Sequence, residues 1–75
     1  MSDLTRTDLI KLIAIATKPL NLWGVTLIEV EGTNLDLTGA NLSCADLTRA
    51  NLTRANLEGA NLKGAILNDV IGYKR

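Results

Sequence analysis

The sequence predicts an all-β solenoid, a chain wound into a four-sided coil, with a short α-helix capping its N-terminal end. Three observations predict it. Leucine recurs at every fifth residue through seven consecutive units between 37 and 67. A period of five suits neither an α-helix nor a flat strand. Lys18-Pro19 separates these units from an apolar start with helical spacing.

The helix comes first. Thr5 is a capping residue, Asp8 three positions on completes a capping box, and Pro19 closes a pattern running over 2 to 18. Leu9, Leu12, Ile13 and Ala16 form one stripe, which Ile10, Ala14 and Ile15 widen. Such a face needs an apolar partner, and the adjoining repeats supply one. Arg6, Lys11 and Lys18 are too few cations for a helix that binds a membrane surface. The organisation expected is a capping helix over 1–19 and a repeat region over 20–75, together one domain.

The units follow in order from Leu35: LDLTG, ANLSC, ADLTR, ANLTR, ANLEG, ANLKG and AILND. Backward, the same frame gives LNLWG and VTLIE from Leu20 and then the degenerate VEGTN; forward, it gives VIGYK from Val70. Eleven units thus span 20 to 74 without an insertion.

In an α-helix, five residues overshoot a full turn by about 140°, so the leucines would visit every face. In a flat strand, an odd spacing sends successive leucines to opposite sides. A corner after every fifth residue resolves both failures, because first and third places then face inward on every side. Four sides make a turn of twenty residues, and stacked turns pair their backbones at about 4.8 Å, giving a prism roughly 13 Å tall.

Steps of twenty predict columns: Leu22, Leu42 and Leu62; Leu27, Leu47 and Leu67; Leu37 and Leu57. The third side reads Gly32, Leu52, Gly72 and is the weak one, since Leu52 has no large neighbour in register. First places are large in the first turn (Leu20, Val25, Val30, Leu35) and alanine from 40 to 65. Small residues let the walls close in, and the larger ones suit an end plugged by the helix.

The tandem ADLTR, ANLTR, ANLEG and ANLKG resembles the pentapeptide repeat proteins, whose signature is A(D/N)LXX. The resemblance is strong over 35 to 69 and weak over 20 to 34. It implies a right-handed quadrilateral β-helix with third-place leucines and first-place alanines inside. It also implies a bacterial protein without catalytic activity that acts as a structural or protein-protein interaction module, often dimeric through its C-terminal coils. The alternative it carries is a DNA-mimicking protein that binds gyrase or topoisomerase, as quinolone-resistance members do. Leucine stands here where the family often has phenylalanine, and the chain is shorter than the gyrase-binding members.

Charge weighs against that alternative. Residues 20 to 75 hold six acids and five bases, a net of −1, far from a duplex with a charge every ~1.7 Å. Over the whole chain eight bases balance eight acids, which also argues against nucleic-acid binding. With no His and one Cys, general-base, metal and cofactor chemistry have no foothold, so no enzyme activity, cofactor or small-molecule substrate is expected. Ser43, Thr48 and Thr53 lie outward with nothing to activate them, and Asp46 and Asp69 read as solvated turn residues. Cys44 falls at a corner and reads as an inert thiol. Asn41, Asn51, Asn56 and Asn61 read as backbone-bonding residues that support the coil.

A single cysteine suits a reducing cytoplasm, and no stretch is long enough to cross a bilayer. What remains is binding through outward apolar residues. Trp23 and Ile28 occupy fourth places in the first turn, under the helix or tail; Ile66, Ile71 and Tyr73 lie outward or at the open end of the last. These five are the candidate interaction residues, and the partner expected at the C-terminal coil is a protein or a second copy of the chain.

Overall fold

The computed structural model describes residues 4–15 and 20–73. Ala16, Lys18, Pro19, Lys74, Arg75 and the side chain of Ile15 lie outside the described residues.

The corners are built as the frame requires. The amide of each first-place residue from Val25 to Val70 donates to the third-place carbonyl three residues back, over 2.9–3.4 Å. Between them the fifth-place residue takes a positive φ, the requirement of a type II turn at its third position. Glycine meets it at 24, 39, 59 and 64; Glu29, Asn34, Cys44, Arg49, Arg54 and Asp69 meet it with φ of 57–63°. These six hold a backbone that L-residues avoid because hydrogen bonds on both sides of the corner fix it.

The twenty-residue register holds throughout. Parallel bridges join Asn21 to Asn41, Thr26 to Asp46, Glu31 to Asn51 and Asp36 to Asn56, and the second turn joins the third from Asn41–Asn61 to Asn51–Ile71. Coil one is therefore 20–39, coil two 40–59 and coil three 60–73, each with sides of five residues. Each side contributes one bridging residue, too short to count as a strand. The exchange repeats: the amides of Leu42 and Cys44 donate to the carbonyls of Asn61 and Lys63 at 2.8 and 3.0 Å, and the Asn61 amide returns to Ala40 at 2.9 Å.

The core lies along the axis. Leu22, Leu27, Leu37, Leu42, Leu47 and Leu52 are buried with Ala40, Ala45 and Ala50, while Leu57 of coil two and Leu62 and Leu67 of coil three are half-buried. The third side is less weak than its sequence suggests. A β-carbon on Gly32 would lie 2.9 Å from Leu52 Cδ2, so Leu52 leans into the space the glycine leaves and is itself buried. The frame holds to Ile71 and then changes: Gly72, a third place, turns to a φ of 81°, and its added β-carbon would fall 2.5 Å from Thr53 Cα.

The helix α1 spans Arg6–Ile15. Its capping box is formed: the Thr5 amide donates to Asp8 Oδ2 at 3.0 Å and the Asp8 amide to Thr5 Oγ1 at 3.2 Å. Leu9 is the plug, 1% exposed within the core of coil one, with Leu4 and Ile13 packed beside it. The stripe is narrower than its spacing implies, since Ile10 and Ala14 face outward. Arg6 fixes the helix on the third side, donating from Nη1 to the carbonyls of Glu31 (3.1 Å) and Thr33 (2.7 Å) and to Thr33 Oγ1 (3.2 Å).

Candidate interaction surface

Second and fourth places make the outer walls. The second-place side chain serves the turn that follows it: Oδ1 of Asn21, Asn41, Asn51, Asn56 and Asn61 accepts the amide two residues on, at 3.0–3.1 Å. This is an Asx turn, and it assigns the asparagines to the coil. Asp36 and Asp46 do the same and also accept the hydroxyls of Thr38 and Thr48, at 2.6 and 2.5 Å. Those hydroxyls, then the amides of the same threonines, hold both carboxyls below their ordinary values.

A native value below the unfolded one gives a contribution that is complete above about pH 4 and disappears as the pH falls through the lowered native value. Asn51 makes the same pair of bonds to Thr53, at 3.1 and 2.6 Å, without a charge. Asp46→Asn should therefore leave the urea midpoint at pH 7 nearly unchanged and flatten its decline in acid. Urea titrations across the acid range check this.

Two corners carry polar columns. Arg49 Nε donates to Glu29 Oε2 at 3.1 Å, and Arg54 Nε to Asn34 Oδ1 at 3.0 Å, each across one turn. Both partners of the ion pair are well exposed, so it orders the wall more than it stabilises the fold. Cys44 stands exposed between Gly24 and Gly64 of its own column, its Sγ 3.4 Å from where a Gly64 β-carbon would sit.

The structure does not gather the five sequence-predicted residues into one patch. Trp23 is 61% exposed on the first side of coil one, so α1 does not cover it, contrary to the expectation. Ile28 is half-buried on the second side. At the other end, Ile66 (44% exposed) and Ile71 (55%) stand on adjacent walls of coil three, above Asp46 and Asn51 with which they bridge. Tyr73 is half-buried and packs against the core. Sequence reasoning passed over Arg6, whose partners lie 25 and 27 residues away. It also missed the corner pairs, although the step of twenty already joins Glu29 to Arg49 and Asn34 to Arg54.

Beside Tyr73 lies an open notch of about 350 Å³ edged by Arg54, Leu57 and Glu58. Among the described residues no three His, Cys, Asp or Glu side chains come close enough to share a metal ion, and no helix is long and apolar enough to cross a membrane.

With the twenty-residue register and its five-residue sides established, comparison with known families is decisive. A sequence model of pentapeptide repeats matches residues 21–53 and 33–69, with eight copies in all. The chain belongs to the pentapeptide repeat family. The matched span begins inside the first side, so the weak units of coil one are pentapeptide repeats as well. A search of curated proteins finds no match to the chain. Pentapeptide repeat proteins are generally non-catalytic.

Proposed function

We propose that this protein is a noncatalytic interaction or structural module: a right-handed quadrilateral β-helix, capped by its N-terminal segment 1–19, that binds a protein partner at its last coil. A second copy of the chain is the partner the surface favours first. The observation that carries this is the pair Ile66 and Ile71. They occupy second places, where coil two has Asp46 and Asn51, so the coil itself has no need of apolar groups there. Branched apolar side chains exposed on a wall otherwise lined by hydroxyls, amides and charges make a contact patch. Tyr73 borders it, and Trp23 and Ile28 offer a second, smaller surface at the opposite end. The module acts in a reducing cytoplasm, without cofactor, small-molecule substrate, nucleic acid or membrane.

Light scattering tests the reading. Wild type should show a concentration-dependent mass above that of one chain, and Ile71→Glu should return it to the mass of one chain. An unchanged monomeric mass in both removes the self-association and leaves the patch to a different protein.

A further inference from the structure

The first sides of the three coils stack into a wall with a composition of its own. Bridges join Asn21 to Asn41 and Asn41 to Asn61, and two residues on, Trp23, Ser43 and Lys63 form the neighbouring outward column, at about 4.8 Å per coil. Trp23 and Lys63 stand exposed at its two ends. Among the described residues the Lys63 ammonium has no ion pair, and the Trp23 indole makes no hydrogen bond or ring contact. Each asparagine Oδ1 accepts the amide two residues on, which leaves the Nδ2 donors and a second lone pair available at the surface. The edges of this wall are low. Gly24 and Gly64 lie at one corner and Gly39 and Gly59 at the other, with Cys44 the one side chain among them. The turn does not demand glycine, since six corners hold side chains at φ of 57–63°, and a β-carbon on Gly24 would meet nothing within 4 Å. What the glycines leave is a wall that a flat body can meet from edge to edge.

We propose that this first-side wall is self-complementary and pairs with the same wall of a second copy, about a two-fold axis running along the 40–44 side. Such an axis keeps each position along the side and exchanges coil one with coil three. Asn41 and Ser43 meet their own counterparts. Asn21 meets Asn61, so the facing amide columns exchange Nδ2 to Oδ1 hydrogen bonds, and Trp23 meets Lys63 twice, which sets an unpaired ammonium over an unpaired indole at both ends. The other walls fail this match. On the second side the same axis sets Asp46 against Asp46, and on the third it sets Glu31 against Ile71. The helix does not intervene, because Arg6 fastens it to the third side, opposite this wall. In a molecule of 30 × 22 × 22 Å the wall covers at most about 660 Å² per copy, short of the ~800 Å² of a standard interface. The pair therefore forms at about 0.1–1 mM, above the dilute range in which Ile71→Glu reads as one chain. A joint between like walls closes at two copies, and this one uses neither Ile66 nor Ile71.

Full-length Ile71→Glu, with Cys44 kept reduced, isolates this face. Sedimentation equilibrium should show its mean mass rising toward that of two chains, and no further, as the concentration approaches about 1 mM. Trp23→Ala and Lys63→Glu, each added to that variant, should weaken the pair about tenfold and keep its circular dichroism, while Lys63→Arg should leave the pair intact. A short bis-maleimide should join two chains through Cys44 where the pair forms, because the two-fold sets these exposed thiols opposite each other. Trp23→Ala should suppress that link. A mass that stays at one chain hands the wall to a different protein and overturns the proposal. So does a pair that Trp23→Ala and Lys63→Glu both leave intact, or one that Cys44 does not cross-link. None of these results alters the association read from Ile71 in dilute solution.

Discussion

Leu42→Ala should cost about 2–5 kcal/mol, the range for deleting a buried leucine side chain. Leu42 is wholly buried in coil two, with Leu22 below it and Leu62 above it in the same column. The walls that enclose it are pinned by backbone bonds every few residues, so they cannot collapse far into the space left behind. A chain of this length has roughly 4–11 kcal/mol of stability to lose. The variant should therefore be largely unfolded at a urea concentration where wild type is folded. Leu62→Ala, in the half-buried last coil, should cost well under half as much. Equal losses at the two positions would mean that the column is not graded from centre to end.

Ala45→Leu should be nearly as damaging for the opposite reason. Ala45 has no exposed surface, and its inward β-carbon sets how closely the wall approaches the axis. Three extra carbons have no room unless the Ala45–Leu42 turn or the bond from the Asp46 amide to the Val25 carbonyl gives way. Overpacking of this kind costs about 1–3 kcal/mol and sometimes more. Ala60→Leu, half-buried in coil three, should be tolerated far better. Paired urea denaturation curves decide it, and a stabilised Ala45→Leu would mean that the axis holds unfilled space.

Much of this was legible because few backbones satisfy a period of five. The twenty-residue register, the buried leucine columns and the Thr5–Asp8 capping box all follow from spacing alone, and spacing is what local sequence records. The rotation of α1 is different. Helical periodicity places Ile10 beside Leu9 on a wide stripe, but the docking is set by Leu9 as plug and by Arg6 reaching carbonyls on the third side. No local pattern announces a guanidinium bond to a backbone that far along the chain. Trp23 follows from the same cause. A helix of ten residues is about 15 Å long, and one fastened on the third side leaves the first side, opposite, uncovered. The five candidate residues are apolar groups at outward places, and the frame of five already divides them between the first turn and the last.

The unbroken five-residue side has a consequence for how such a protein can change. Removing one whole unit keeps the remaining corners but rotates all that follows by a quarter turn and gives each column that crosses the deletion a new partner. Ile66 and Ile71 would then point to different compass directions relative to Arg6. Chain length here works as a protractor: the number of units sets the bearing between the two ends, in steps of a right angle.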